Sequence, residues 1–256
     1  MNKFITEPRV TLLSYTPEPE KIIALAARVC YSDRADIMDI SNDMKKEDIE
    51  RYVKMIINSQ HHSVLEHVSF TFSIEDVSRA VLAEITRHRI GIAFSVRSQR
   101  YCNEFNAQFV VPEELLITED MDEDKKLPGI IFDQAIDNAQ FAYRDMISKD
   151  IKVSKQSARY VLPNATCTRM ILTANARELL HIFALRSCAR ALPEIQVLSN
   201  KMISLVRKAA PIIFEKAGPS CLQLGYCPEN DKCCGRRPTL KKLLDNYNNN
   251  VPGFLR

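Results

Sequence analysis

Glycine is scarce in this chain. Only six occur in 256 residues, at 91, 129, 218, 225, 235 and 253, and they build neither a G-x-G-x-x-G nor a P-loop phosphate turn. A nucleotide or dinucleotide bound here is therefore held without a Rossmann turn. Long apolar runs are absent as well, and no stretch reaches the ~18 residues of a membrane span. The opening residues, MNKFITEPRV, lack the apolar core of about 7–15 residues that marks a secretory signal. Together these absences predict a cytoplasmic protein with no membrane partner. The net charge of +3 is too mild to argue for a nucleic-acid partner. Acids are missing from one place in particular: none lies between Glu84 and Glu104.

What is present reads as an ordinary globular chain. Apolar residues make up 46% and charged residues 26%. The length fits one domain, or one domain with an appendage. Of the eight cysteines, Cys30, Cys102, Cys167 and Cys188 are scattered through the body, while Cys221, Cys227, Cys233 and Cys234 crowd the end. A disulfide scaffold belongs to small secreted chains, so free thiols are expected in the body. The last four cysteines are zinc candidates by type. Their gaps of five residues exceed the usual spacing of about two to four between paired ligands, so no metal is assigned to them. The expected organisation is a catalytic region at 1–218 and a Cys-rich tail with a basic end at 219–256.

Periodicity predicts the elements. Residues 9–14 read as a strand, and Pro17 and Pro19 open a helix with Ile22, Ile23, Ala26 and Val29 on one face. A second helix spans 46–58. Residues 68–74 alternate as a half-buried strand, and Asp76 is positioned to cap a helix ending near His88. Residues 106–111 suggest a strand, 113–127 a surface loop, and 130–147 an amphipathic helix. Residues 166–174 form a further strand, Asn175 caps the next helix, and Pro193 opens the last long one. Strands and helices mix without strict alternation. The expected class is α+β, an irregular mixed single domain with a central sheet and flanking helices and no Rossmann phosphate turn.

The densest chemistry lies in Arg87-His88-Arg89 and the following Arg97, Ser98, Gln99, Arg100 and Tyr101. A cluster like this is often a solvated basic face. Here Ile90, Ile92, Ala93, Phe94 and Val96 are interleaved among the arginines, so part of the segment packs. A packed guanidinium with no acid nearby in sequence needs an anion from elsewhere. Arginine's planar fork suits a phosphate or a carboxylate, and Ser and Gln add hydrogen bonds.

The stretch resembles the signature of flavin-dependent thymidylate synthases, Arg-His-Arg, a spacer, then Ser-x-Arg. His61, Ser63, Glu66 and His67, followed by Phe70-Thr-Phe72, are similar to that family's first flavin-contacting segment. Arg159-Tyr-Val-Leu-Pro163 matches its Arg-x-x-Leu-Pro turn, and Asn175 to His181, Leu185-Arg186 and Glu194-Ile195 match its active-site helix. The resemblance implies methyl transfer from methylenetetrahydrofolate to C5 of dUMP, with FAD as cofactor and NADPH as reductant, in a homotetramer whose active sites lie between subunits. It implies that Ser98, Gln99, Arg100, Arg159, Arg186 and Glu84 meet dUMP. It implies that His61, Ser63, Glu66, Arg87, His88, Arg89, Asn175, Arg177 and His181 meet FAD. Arg186 and Ser98 would act at the reacting ring, Ser98 as a ligand rather than a nucleophile, since no base is fixed beside it in sequence. Locally, His61 also reads as part of a polar loop, Asn175 as a helix cap, and Arg177 and Arg186 as exposed helix residues. The chain departs from the pattern in three places. Its spacer (90–97) is one residue longer, Ala93 replaces a common serine, and Glu84 stands where glutamine is usual. Two further readings stay open at this point: a catalytically silent nucleotide-binding relative, and a nucleic-acid-binding protein using the arginine cluster and Arg236, Arg237, Lys241 and Lys242.

Overall fold

The computed structural model describes residues 4–118 and 120–250. Among the described residues six strands form: β1 (Phe4–Ile5), β2 (Arg9–Tyr15), β3 (Ser69–Ser78), β4 (Ile92–Val96), β5 (Phe109–Val110) and β6 (Cys167–Asn175). The period-two pattern of β3 puts Phe70, Phe72 and Ile74 out of solvent, and that of β6 does the same for Met170, Leu172 and Ala174. Four strands pair in the order β2-β3-β6-β4, and β1 pairs with β5 in parallel, Phe4 against Phe109 and Ile5 against Val110. The helices are α1 (Pro19–Val29), α2 (Ile37–Asn42), α3 (Lys46–Asn58), α4 (Arg79–Ile85), α5 (Glu123–Met146), α6 (Lys155–Ala158), α7 (Ala176–Arg186), α8 (Pro193–Ala209), α9 (Ser220–Leu224) and α10 (Leu240–Asn250). The α+β class is as expected. No helix among the described residues is long and apolar enough to cross a membrane.

The chain divides into two compact units. The first comprises residues 1–11, 72–89 and 93–173. Ala107, Phe109 and Ile136 form a small core there, with Phe4, Phe132 and Ala165 packed on it. The second comprises residues 12–71, 90–92 and 174–256. In it α1 packs on α3 through Ile23, Ala24, Ala27, Val53 and Ile56, all buried. Phe214 meets Phe70 and Phe183 edge to face, with centroids 5.3 and 6.2 Å apart.

Several local expectations are corrected. Asp76 does not cap α4. It lies inside β3 with φ of 60° and pairs with Arg9, while the Ser78 hydroxyl accepts from the Val81 N–H at 3.1 Å and is the cap. Helix α4 stops at Ile85, short of His88. The strand expected at 106–111 shrinks to Phe109–Val110. The loop expected at 113–127 ends early, because α5 already starts at Glu123 and runs through Pro128. Pro128 is the sixth residue of α5 and removes one ladder bond, the one to the Asp124 carbonyl, while Glu123 and Asp124 favour the dipole at this end. Strand β4 and helix α10 were not anticipated.

Candidate functional site

Each unit gathers part of the residues singled out by sequence. In the first unit Glu84 is half-buried near the end of α4, and His88 is buried between exposed Arg87 and Arg89. Arg87 and Arg89 present two cations with no acidic partner among the described residues. Beyond β4 the chain turns at Ser98, whose hydroxyl accepts from the Arg100 N–H at 3.2 Å. Gln99 is buried at this turn. The Arg100 Nε donates to Gln156 Oε1 at 3.0 Å, and Lys155 Nζ donates to the Tyr101 carbonyl at 3.0 Å. The turn is thus tied to α6, whose C-cap is Arg159. Gln156 stands one helical turn before Arg159, so Arg100 and Arg159 are brought to one region.

Beneath this turn lies a pair that sequence reading did not foresee. Arg97 Nη1 meets Glu104 Oε2 at 2.7 Å and Arg97 Nη2 donates to the Asn103 carbonyl at 2.9 Å. The Glu104 side chain is 2% exposed. Burial pushes its carboxyl above the usual range, and Arg97, Arg79 and Arg169 pull it back only in part. The missing anion for the packed Arg97 is therefore Glu104, seven residues on. Arg79 was also missed. Burial lowers its pKa, Glu104 opposes this, and Arg159 adds to it, so Arg79 and Arg159 feel each other's charge. The Arg79 Nη1 is buried with no partner among the described residues. No periodicity or motif marks Arg79; its only sequence signal is a charge placed directly after an apolar strand.

In the second unit a 3-10 turn, His62–His67, follows exposed His61. Ser63 is exposed there, and Glu66 accepts from Arg177 Nη1 at 2.5 Å. Burial lowers the His62 pKa, and Arg177 adds to the effect. Asn175 is the N-cap of α7, its Oδ1 accepting from the Glu178 N–H at 2.8 Å. Its own N–H donates to the Gly91 carbonyl at 2.9 Å. One turn into α7 Glu178 is buried, and burial raises its carboxyl against the pull of His181 and Arg177. His181 is exposed, and Arg186 is half-buried at the end of the helix. Arg186 also lines a cavity of about 280 Å³ together with Cys188, Arg190, Cys221, Cys227 and Cys234. Burial and the neighbouring Cys233 thiol push the Cys227 thiol up, to about 11.

Gly91 shows how tightly the Asn175 corner is built. Its φ is +69°, and an added Cβ would stand 2.2 Å from Asn175 Nδ2. Gly91→Ala is expected to cost about 2 kcal/mol, combining left-handed backbone strain with a displaced cap. Urea unfolding of the two proteins checks this, and unchanged stability contradicts the corner geometry.

Comparison with known proteins rests on the same segments. The family model described as "Thymidylate synthase complementing protein" matches residues 11–212, which include every residue that the sequence analysis singled out for a nucleotide or flavin. The chain is 41% identical over 238 residues to the flavin-dependent thymidylate synthase of Geobacter sulfurreducens, covering 92% of this chain and 97% of that one. It is 39% identical over 249 residues to that of Clostridium tetani, covering 92% and 96%. The chain belongs to the flavin-dependent thymidylate synthase family. It is an enzyme of that type. Its fold is also similar to a UMP/dUMP methylase, PolB, from Streptomyces cacaoi bound with 5-Br dUMP. The TM-score is 0.69 at 22% identity, covering 84% of this chain and 96% of that one. The family match ends before the four crowded cysteines.

Proposed function

We propose that this thymidylate synthase converts dUMP and methylenetetrahydrofolate into dTMP and tetrahydrofolate, with FAD as cofactor and NADPH as reductant, as a cytoplasmic homotetramer that uses no nucleic-acid or membrane partner. The catalytic region would be 1–218, with 219–256 as an appendage. The observation that carries the reading is the arginine charge around Ser98–Tyr101. Arg79, Arg97 and Arg169 all act on one buried carboxylate, Glu104, and Arg159 adds further charge beside Arg79. That excess calls for an anion, and a nucleotide phosphate answers it. Arg100 and Arg159 would clamp the phosphate. Ser98 and Gln99 would add hydrogen bonds, and Arg186 would face the pyrimidine edge.

The residues present also fit FAD. Arg87 and Arg89 offer exposed cations to a pyrophosphate that no glycine turn receives. Asn175 spends its carbonyl oxygen on the cap, which leaves the amide as a donor. Arg177, His181, His61 and Ser63, with Glu66 orienting Arg177, complete the polar set. Once reduced by NADPH, the bound flavin would supply the hydride that turns the transferred methylene into a methyl group. Positive side chains near its ring favour the reduced anionic form. The test is spectroscopic. The purified chain is expected to take up FAD with flavin absorbance bands that NADPH bleaches. A chain that stays colourless with added FAD overturns the reading.

Glu84 gives a sharper prediction. It is already engaged in a polar or electrostatic contact within the chain. An ionised carboxylate accepts but cannot donate to a uracil carbonyl, whereas an amide does both. Glu84→Gln is therefore expected to fold normally and bind dUMP as tightly or more tightly. Titration at constant salt checks it, and a loss of ~10-fold, about 1.4 kcal/mol, would show that Glu84 itself holds the base.

A further inference from the structure

The tail beyond Gly218 is folded almost without a core. Between residues 219 and 245 a single side chain is buried, and it is a thiol, Cys227. The backbone is nonetheless ordered into defined turns. Helix α9 ends at Gly225, whose φ is +78°. The Cys227 N–H donates to the Pro238 carbonyl at 2.8 Å, and Cys227 bridges to Thr239. Segments this short rarely hold themselves by apolar burial; they use cross-links, either disulfides or a metal.

The four cysteines gather in one region of the tail. Cys221, Cys227 and Cys234 line one cavity, and Cys227 faces the Cys233 thiol. Helix α9 and its Gly225 turn carry the chain from Cys221 to Cys227, and a 3-10 turn at Asn230–Lys232 carries it on to Cys233. These turns bridge the long gaps that argue against a metal on spacing alone. The Gly235 N–H donates to Cys233 Sγ at 3.3 Å, and the φ of +84° at Gly235 is one that glycine adopts readily. A backbone N–H aimed at sulfur is a partner that orients and stabilises a thiolate ligand. Lys232 and Arg236 line the same cavity and offset the charge that four thiolates would bring.

We propose that Cys221, Cys227, Cys233 and Cys234 form a structural site for one thiophilic divalent cation of the zinc class, which staples the tail to the end of α7. A tetrahedral four-thiolate shell is the common structural arrangement for such an ion, and coordination deprotonates each thiol outright. Among the described residues no three cysteine sulfurs lie within 4.8 Å of one another, so ligation has to draw them together. Cys221 and Cys233 are half-buried and Cys234 is exposed, which leaves them room to move. Coupling of metal binding to local folding is the rule in segments without a core. The Ser220 hydroxyl donates to the Ala184 carbonyl at 3.1 Å and sets where the staple attaches.

The experiment uses the full chain. Elemental analysis of the purified protein is expected to find about one zinc per chain. A mercurial should release it, and refilling with Co²⁺ should produce thiolate-to-cobalt charge-transfer absorption together with tetrahedral d–d bands. Cys227→Ser and Cys234→Ser should each lower the retained metal at least ~10-fold in affinity, whereas Cys30→Ser should retain it. Should the tail variants misfold, the wild-type metal content and cobalt spectrum decide alone. Three results overturn the proposal. One is a chain in which all eight thiols titrate and neither Zn²⁺ nor Co²⁺ is retained. Another is a metal-free chain with two thiols missing, which means a disulfide. The third is bound cobalt without sulfur charge transfer, which places the metal elsewhere.

Discussion

Arg100→Ala is expected to weaken dUMP binding by ~10-fold or more while FAD stays bound. The Arg100 guanidinium is fixed before any ligand arrives, because its Nε is held by Gln156 at 3.0 Å. Its fork therefore meets a phosphate with little further loss of side-chain freedom. A charge-assisted hydrogen bond of this kind contributes about 1.5–3 kcal/mol, which corresponds to roughly 10–150-fold in affinity. Arg100→Lys keeps the charge but loses the planar fork, so it should recover only part of the affinity. Calorimetry with dUMP separates these outcomes. Unchanged affinity in Arg100→Ala removes this residue from the nucleotide site.

Arg97→Met is expected to lower folding stability by about 3 kcal/mol, whereas Glu104→Gln should change it by less than about 1 kcal/mol at neutral pH. The asymmetry follows from exposure. The Arg97 side chain is 25% exposed and reaches water, while Glu104 at 2% does not. Removing the cation strands a buried carboxylate; removing the carboxylate leaves Arg97, a quarter exposed and hydrogen-bonded to the Asn103 carbonyl. Burial already holds the Glu104 carboxyl above its ordinary range despite Arg97. A carboxyl raised in the folded state contributes stability that is full below its unfolded pKa and is lost as pH rises through the folded one. In Arg97→Met the carboxyl rises further, so the deficit should shrink as pH falls toward the ordinary Glu range near ~4.3. Urea unfolding across that range checks both variants. Equal losses in the two, or a deficit that grows on acidification, contradict this account of the pair.

Much of the framework was legible where periodicity is strong. Residues 46–58 became α3 with the expected bounds, and the alternation read in 68–74 became the body of β3. Asn175 took the capping role that its residue type suggests. The misses share a cause: the decisive partner lies far along the chain or reverses a local signal. Asp76 looked like a cap because it is the first aspartate after an apolar strand, yet its partner is Arg9, 67 residues away. For the site, motif order singled out Arg100 and Arg159, which the contact of the Ser98–Tyr101 turn with α6 brings to one region. It did not show that Arg97 is spent on Glu104, nor that Arg79 stands in the field of Arg159. Nor did spacing show that Cys221, Cys227 and Cys234 line one cavity.

The most direct test of the central claim is product formation by the purified chain. With FAD, NADPH, methylenetetrahydrofolate and dUMP carrying a label in the uracil ring, the account predicts labelled dTMP and tetrahydrofolate in equal amounts. Omitting NADPH or methylenetetrahydrofolate should abolish turnover, and Arg186→Ala should reduce it. A chain that binds FAD and dUMP yet forms no dTMP under these conditions would contradict the account and mark it as a catalytically silent relative.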